Sequence, residues 1–157
     1  MCFLLRGGRV LLQERAAGRL WAGRLNGPGG KLAARERPEA GVAREVLEET
    51  GVRVKAPRSA GRIDLVFDAP APFSILRVHV FTSERFSGTV TGNAEGRLRW
   101  FSVARLPWDR LWPDQRYWLP AVLDGGAVSG VCRFDASGAR LLECRLGVRW
   151  SSRHQKL

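Results

Sequence analysis

At 157 residues and 45% hydrophobic content, the chain is long enough to bury one sizeable core and too short for two. No run approaches the roughly eighteen apolar residues of a membrane helix, and Met1-Cys2-Phe3-Leu4-Leu5 has neither the length nor the basic approach of a signal peptide, so a cytoplasmic protein with no membrane partner is expected. The formal net charge of +11 comes almost wholly from arginine; such a field attracts nucleoside triphosphates or nucleic acid, but the arginines are scattered, and the coding bias of a GC-rich genome accounts for most of them.

Along the chain, Met1 to Leu5 and Arg9 to Gln13 are short apolar runs around Gly7-Gly8 and read as a hairpin. Ala16 to Ala22 is a loop carrying Leu20 and Trp21. Asn26-Gly27-Pro28-Gly29-Gly30 is a loop whose backbone can approach a ligand or metal closely. A helix follows, with Pro38 suited to its first turn and Gly51 to the position just past its end. Val52 to Val54 and Ile63 to Phe67 read as strands, the latter containing Asp64, and Ala69 to Pro72 is a turn. Ile75 to Thr82 alternates apolar and polar residues around Arg77 and His79, as a half-exposed strand does. Leu98 to Val103 is a short strand holding Trp100-Phe101, and Tyr117 to Leu123 is a candidate helix interrupted by Pro120. Val128 to Phe134 and Leu141 to Leu146 close as a hairpin around Ser137-Gly138. Cys2, Cys132 and Cys144 are odd in number and lack a C-x-x-C pairing, so they read as small buried residues, with disulfide or zinc roles poorly supported. Alternating strands and helices predict an α/β sandwich with a mixed sheet, in one domain over residues 1–150. Residues 151–157 form a frayed basic tail in this reading.

The stretch from Gly30 to Val52 carries the chemistry. On a helix, Glu45, Glu48 and Glu49 fall within one arc of about 100°, with Ala43, Val46, Leu47 and Thr50 opposite. Like charges at i, i+3 and i, i+4 repel, so a cation is the natural reason to gather them. Hard divalent ions such as Mg²⁺ take oxygen ligands, typically carboxylates together with substrate phosphates. Gly30, five residues, Glu36, seven residues, then Arg44-Glu45-Val46-Leu47-Glu48-Glu49-Thr50-Gly51-Val52 resembles a complete Nudix box. The resemblance extends through Asn26 to Lys31, Val78 to Phe81, Trp100-Phe101 and Trp112 to Pro120, and is similar to the oxidised-purine nucleoside triphosphatase branch of the MutT-type enzymes.

That resemblance implies an α/β/α Nudix fold with a catalytic loop–helix–loop. It implies hydrolysis of nucleotides such as 8-oxo-dGTP to the monophosphate and pyrophosphate with Mg²⁺ or Mn²⁺, by a monomer that sanitises the nucleotide pool. Carried over residue by residue, it places the metal on Glu45, Glu48 and Glu49, with the Gly29 carbonyl and Glu95 as further oxygens. Glu48, Glu49 and Glu95 are the candidates for accepting a proton from water. Arg44 orients the carboxylates, Glu36 ties loop to helix, Gly30 and Gly51 shape the motif, and Lys31 is placed to meet a phosphate. Trp112 offers a surface for purine stacking, Asp114 accepts from a guanine-like edge, Asn26 donates and accepts, and Leu65 and Leu76 line the apolar side.

Three departures stand out. The family's second recognition carboxylate is Gln115 here, which brings a donor as well as acceptors. A polar pocket residue near the family's start would precede Met1, so either the pocket is incomplete there or the start is placed too late. An aromatic residue before the box aligns only with Leu20 or Trp21. Other Nudix substrates, capped RNA among them, and a non-enzymatic nucleotide- or RNA-binding module are the alternatives. Val66 and Phe67 stand where a proline or tyrosine would mark the ADP-ribose or dinucleoside polyphosphate enzymes, and binding modules generally lose box glutamates, all present here.

Overall fold

In a computed structural model, which describes residues 1–18, 21–72, 74–94 and 96–150, the first hairpin forms as β1 (Cys2–Arg6) and β2 (Arg9–Arg15). Gly7 and Gly8, both at positive φ, close it as the two-residue turn that matches strand twist. β3 (Leu25–Asn26) follows, then α1 (Pro38–Thr50), β4 (Arg53–Val54), β5 (Arg58–Phe67), β6 (Ile75–Ser83), β7 (Phe86–Ser87) and β8 (Gly96–Ser102). A short 3₁₀ turn leads on to α2 (Gln115–Leu123), β9 (Ala127–Phe134) and β10 (Leu141–Arg149). The hydrogen-bonded order is β10-β9-β5-β6-β1-β2-β3, with β8 on β2 and a separate β4–β7 pair. Parallel ladders (β1 with β6, β5 with β9) and antiparallel ones (β1 with β2, β2 with β8, β9 with β10) make the sheet mixed, as the α/β reading expects. β3 and β7, two residues each, go unread in the sequence, whereas the equally short β4 is read from the alternation of Val52, Arg53 and Val54.

The chain forms two compact units, one of residues 1–59 and 81–111, the other of residues 60–80 and 112–157. In the first, Val42 and Val46 of α1 pack with Cys2, Leu4, Leu11, Val52 and Phe81. In the second, α2 lies against β9 and β10, and Ile63, Phe67, Trp118, Leu119, Val122, Val128 and Phe134 are buried. Asp64, at first sight out of place in a strand, receives both Nε and Nη2 of Arg77 at 2.9 Å. Pro120 sits inside α2 without ending it: the helix already starts at Gln115, and the ring forfeits only the bond to the carbonyl one turn back.

The cysteine reading is corrected. Cys132 and Cys144 form a disulfide, leaving Cys2 as the buried free thiol. Antiparallel pairing of β9 with β10 sets the two directly opposite, with Cα atoms 4.1 Å apart. A second correction concerns α1, whose buried residues are Gly41, Val42, Val46, Glu49 and Thr50, with Ala43 and Leu47 only half-buried. The buried stripe is rotated toward the carboxylates, so Glu49 lies within it. Leu20, Glu95 and residues 151–157 lie outside the described residues.

Candidate active site

Helix α1 is built to present a charged face at a fixed height above the loop before it. Pro38 occupies its first turn, and Gly51, at φ 71°, ends it by donating its N–H to Leu47 O. Beyond that end, Thr91 N–H donates to Thr50 O at 2.9 Å and Asn93 Nδ2 to Glu48 O at 3.1 Å, so carbonyls the helix leaves open are taken up by the segment after β7.

Arg44 is the hub of the exposed side. Its Nε and Nη2 grip Glu36 Oε1 and Oε2 at 3.0 and 2.9 Å, Nη1 reaches Glu45 Oε1 at 2.9 Å and Glu48 Oε2 at 3.1 Å, and Nη2 also meets Lys31 O at 3.1 Å. Glu36 Oε2 further accepts from Ala33 N at 2.8 Å, closing the loop onto the helix. The Arg44 guanidinium, helped by the Ala33 N–H, holds the Glu36 carboxyl down at about 2, so it is ionised throughout the working range. The same carboxylates, Glu36 first and then Glu45, push the Arg44 guanidinium up. Gly30 leaves the Glu45 carboxylate room: a Cβ there would meet that carboxylate, the far end of a flexible side chain, and would make it shift. Glu49, 5% exposed, accepts from Gly29 N at 2.6 Å.

The donor set suits a hard divalent cation: three carboxylates on one helix, a backbone loop beside them, and a glycine that leaves the carboxylate room. Among the described residues, no three acidic, histidine or cysteine groups converge closely enough to hold an ion as they stand. Arg44 draws Glu45 and Glu48 together and Gly29 holds Glu49, so a bound ion takes its oxygens in competition with these partners. Asn26 lies in β3 with its Oδ1 accepting from Gly27 N at 2.9 Å. The Lys31 side chain is exposed.

Of the expected base-recognition residues, Asn26 belongs to the first unit, and Leu65, Leu76, Trp112, Asp114 and Gln115 belong to the second. Trp112 is buried, 8% exposed, with its ring edge-on to Phe134 at 6.1 Å and 88°, so it is less open than a loop position suggests. Gln115 N donates to Trp112 O and Tyr117 N to Asp114 O, both at 3.0 Å, which starts α2 immediately after the Trp-Pro-Asp segment. Asp114 is 2% exposed; its Oδ2 accepts from Trp118 Nε1 at 2.8 Å, while Oδ1 has no hydrogen-bond partner among the described residues. Burial pushes its carboxyl up to about 6, with the Trp118 bond and nearby backbone N–H groups pulling the other way. Gln115 is buried at 1%. Leu65 is buried in β5 and Leu76 half-buried in β6. Trp118, Asn93 and Phe134 were not singled out in the sequence, because each acts through a partner that only the fold supplies.

A NUDIX domain model matches residues 1–122. The chain is 37% identical over 134 residues to the oxidized purine nucleoside triphosphate hydrolase of Mus musculus, covering 85% of this chain and 84% of that protein. It is 32% identical over 130 residues to putative 8-oxo-dGTP diphosphatase 2 of Mycobacterium tuberculosis, covering 79% and 88%. A crystal structure of a MutT protein from Bacillus halodurans superposes with a TM-score of 0.81 at 26% identity, covering 92% and 94% of the two chains. With the full box read in the sequence and its helix and loop seen in the fold, the chain belongs to the Nudix hydrolase family.

Proposed function

We propose that this chain hydrolyses oxidised purine nucleoside triphosphates, 8-oxo-dGTP among them, to the monophosphate and pyrophosphate, acting as a cytoplasmic monomer that clears damaged nucleotides from the pool. The observation that carries the reading is the carboxylate face of α1, with Arg44 spanning Glu36, Glu45 and Glu48 and Gly29 on Glu49, in a chain whose relatives bear those names over most of their length. Glu45, Glu48, Glu49, Glu95 and the Gly29 carbonyl would hold Mg²⁺ or Mn²⁺, which supplies charge neutralisation on the triphosphate and a more acidic water. Arg44 keeps the carboxylates oriented, and one of Glu48, Glu49 and Glu95 takes the proton from the attacking water. Asn26 and Lys31 meet the substrate by hydrogen bond and charge. For the base we assign stacking to Trp112, an apolar lining to Leu65 and Leu76, and hydrogen bonding to Asp114 and Gln115.

The test is a nucleotide panel with purified protein, with and without chelator, and identification of products. 8-oxo-dGTP turned over faster than dGTP, with pyrophosphate as the primary product, is the expected result. Orthophosphate as the primary product, or turnover unaffected by chelator, refutes it. Gln115→Asp, assayed on oxo-guanine and hydroxy-adenine triphosphates from one preparation, shifts their ratio if residue 115 reads the base.

A further inference from the structure

β2 is buried and apolar over Val10, Leu11 and Leu12, and then carries Gln13 at 8% exposure. Leucine would continue the pattern there, so the amide is not what the strand itself asks for. Gln13 Nε2 is buried and has no hydrogen-bond partner among the described residues. Burying a donor without an acceptor costs stability, and native structures rarely keep such a group without a use.

Strand geometry fixes where the side chain lies. Leu11 and Gln13 share one face of β2, and Leu11 packs with Val42 and Val46, so Gln13 is on the face that α1 covers. In register, Gln13 stands opposite Asn26 on one side and Leu98 on the other, and directly opposed residues share a face. Its Cγ lies 3.1 Å from where a Cβ on Gly96 would be. Gly96 bridges Asn93, whose Nδ2 holds Glu48 O, and Asn26 is three residues before Gly29, whose N–H holds Glu49. The orphan donor is therefore hemmed between the two segments that fasten α1 at Glu48 and at Glu49.

We propose that Gln13 is a positioning residue whose side-chain amide donates a hydrogen bond to an oxygen of the nucleotide's phosphate chain, holding that chain against the Glu48–Glu49 end of α1. This rests on the triphosphatase reading and adds to it a residue outside the box.

The test compares wild type with Gln13→Leu and Gln13→Glu by three readouts: melting temperature without nucleotide, dissociation constants for inorganic pyrophosphate with Mg²⁺ and for the nucleoside 8-oxo-deoxyguanosine, and kcat and KM for 8-oxo-dGTP. Because leucine removes a buried unsatisfied donor, Gln13→Leu melts no lower than wild type. Its pyrophosphate dissociation constant and triphosphate KM rise by about 10- to 100-fold, the range for a hydrogen bond to a charged group. Gln13→Glu, with a carboxylate facing phosphate, loses at least as much, and the nucleoside binds all three proteins equally. A Gln13→Leu protein that melts lower with KM unchanged shows the amide serving the fold and overturns the proposal, as does an equal loss for nucleoside and pyrophosphate. Wild type that binds nucleoside and pyrophosphate but hydrolyses no triphosphate breaks the functional reading alone, and wild type that binds neither overturns both.

Discussion

Asp114 concentrates a measurable electrostatic cost in one side chain. Its folded carboxyl titrates at about 6, against 3.8 ordinarily. Between those values the folded protein keeps a proton that the unfolded chain has lost, so stability falls as pH rises from about 4 to 6 and stays lower above. The full difference is on the order of 3 kcal/mol. Asp114→Asn, which keeps an acceptor for Trp118 Nε1 but has no charge to bury, is expected to be more stable than wild type at pH 7.5 and equal to it near pH 4, as denaturant midpoints at the two pH values will show. Glu48 and Glu49 make the opposite kind of prediction. Glu48→Gln and Glu49→Gln keep size and fold and remove a charge, and kcat is expected to fall by about 10²–10⁴ with the melting temperature little changed; near-normal turnover in both removes them from the site. These glutamates were legible because the box fixes residue types at fixed spacing. Gln13 was not, since an isolated glutamine in a strand gives no signal until register sets it opposite Asn26 and against Gly96.

Helix α1 was legible from its proline, its glycine and its charge pattern, but an ideal-helix projection put the core stripe on Ala43 and Leu47. The structure buries Val42 instead and places Glu49 within the stripe, because the Gly29–Gly30 loop comes down over that side and satisfies the carboxylate there. The β9–β10 hairpin shows the complementary case. Its turn at Ser137-Gly138 was readable, and Cys132 and Cys144 each lie six residues from Gly138, so the pairing was implicit in a symmetry that cysteine spacing alone does not reveal. In oxidising buffer the native protein should therefore resist thiol labelling throughout: two sulfurs are bonded, and Cys2 is buried with its thiol pushed up to about 12. Replacing both paired cysteines by alanine removes a closure of a short loop worth about 3 kcal/mol in the chain-entropy account. Nucleotide turnover well below the melting temperature is expected to remain unchanged. Labelling of a native cysteine in oxidised wild type, read by mass, would contradict this arrangement.

At the level of the whole molecule, the excess of positive charge has a kinetic meaning even though many arginines are engaged. Arg77 on Asp64, Arg133 on Asp68, Arg145 on Glu143, and Arg99 and Arg110 on Glu14 use up acids, and a surplus of +11 remains over the chain. Such a field accelerates encounter with polyanions and is screened beyond about 10 Å at 0.1 M salt. kcat/KM for a triphosphate is expected to fall by about tenfold between 0.05 and 0.5 M salt, while binding of the uncharged nucleoside stays flat. No described helix is long and apolar enough to cross a membrane.

The Arg44 hub restricts how this site can vary. One guanidinium satisfies Glu36, Glu45, Glu48 and a loop carbonyl at once, so the loss of any one partner alters what the others experience. Single substitutions at positions 36 and 44 should each cost nearly as much as the pair, leaving a double-mutant cycle far from additive. A change at any one of the four positions therefore reaches the others through the guanidinium they share.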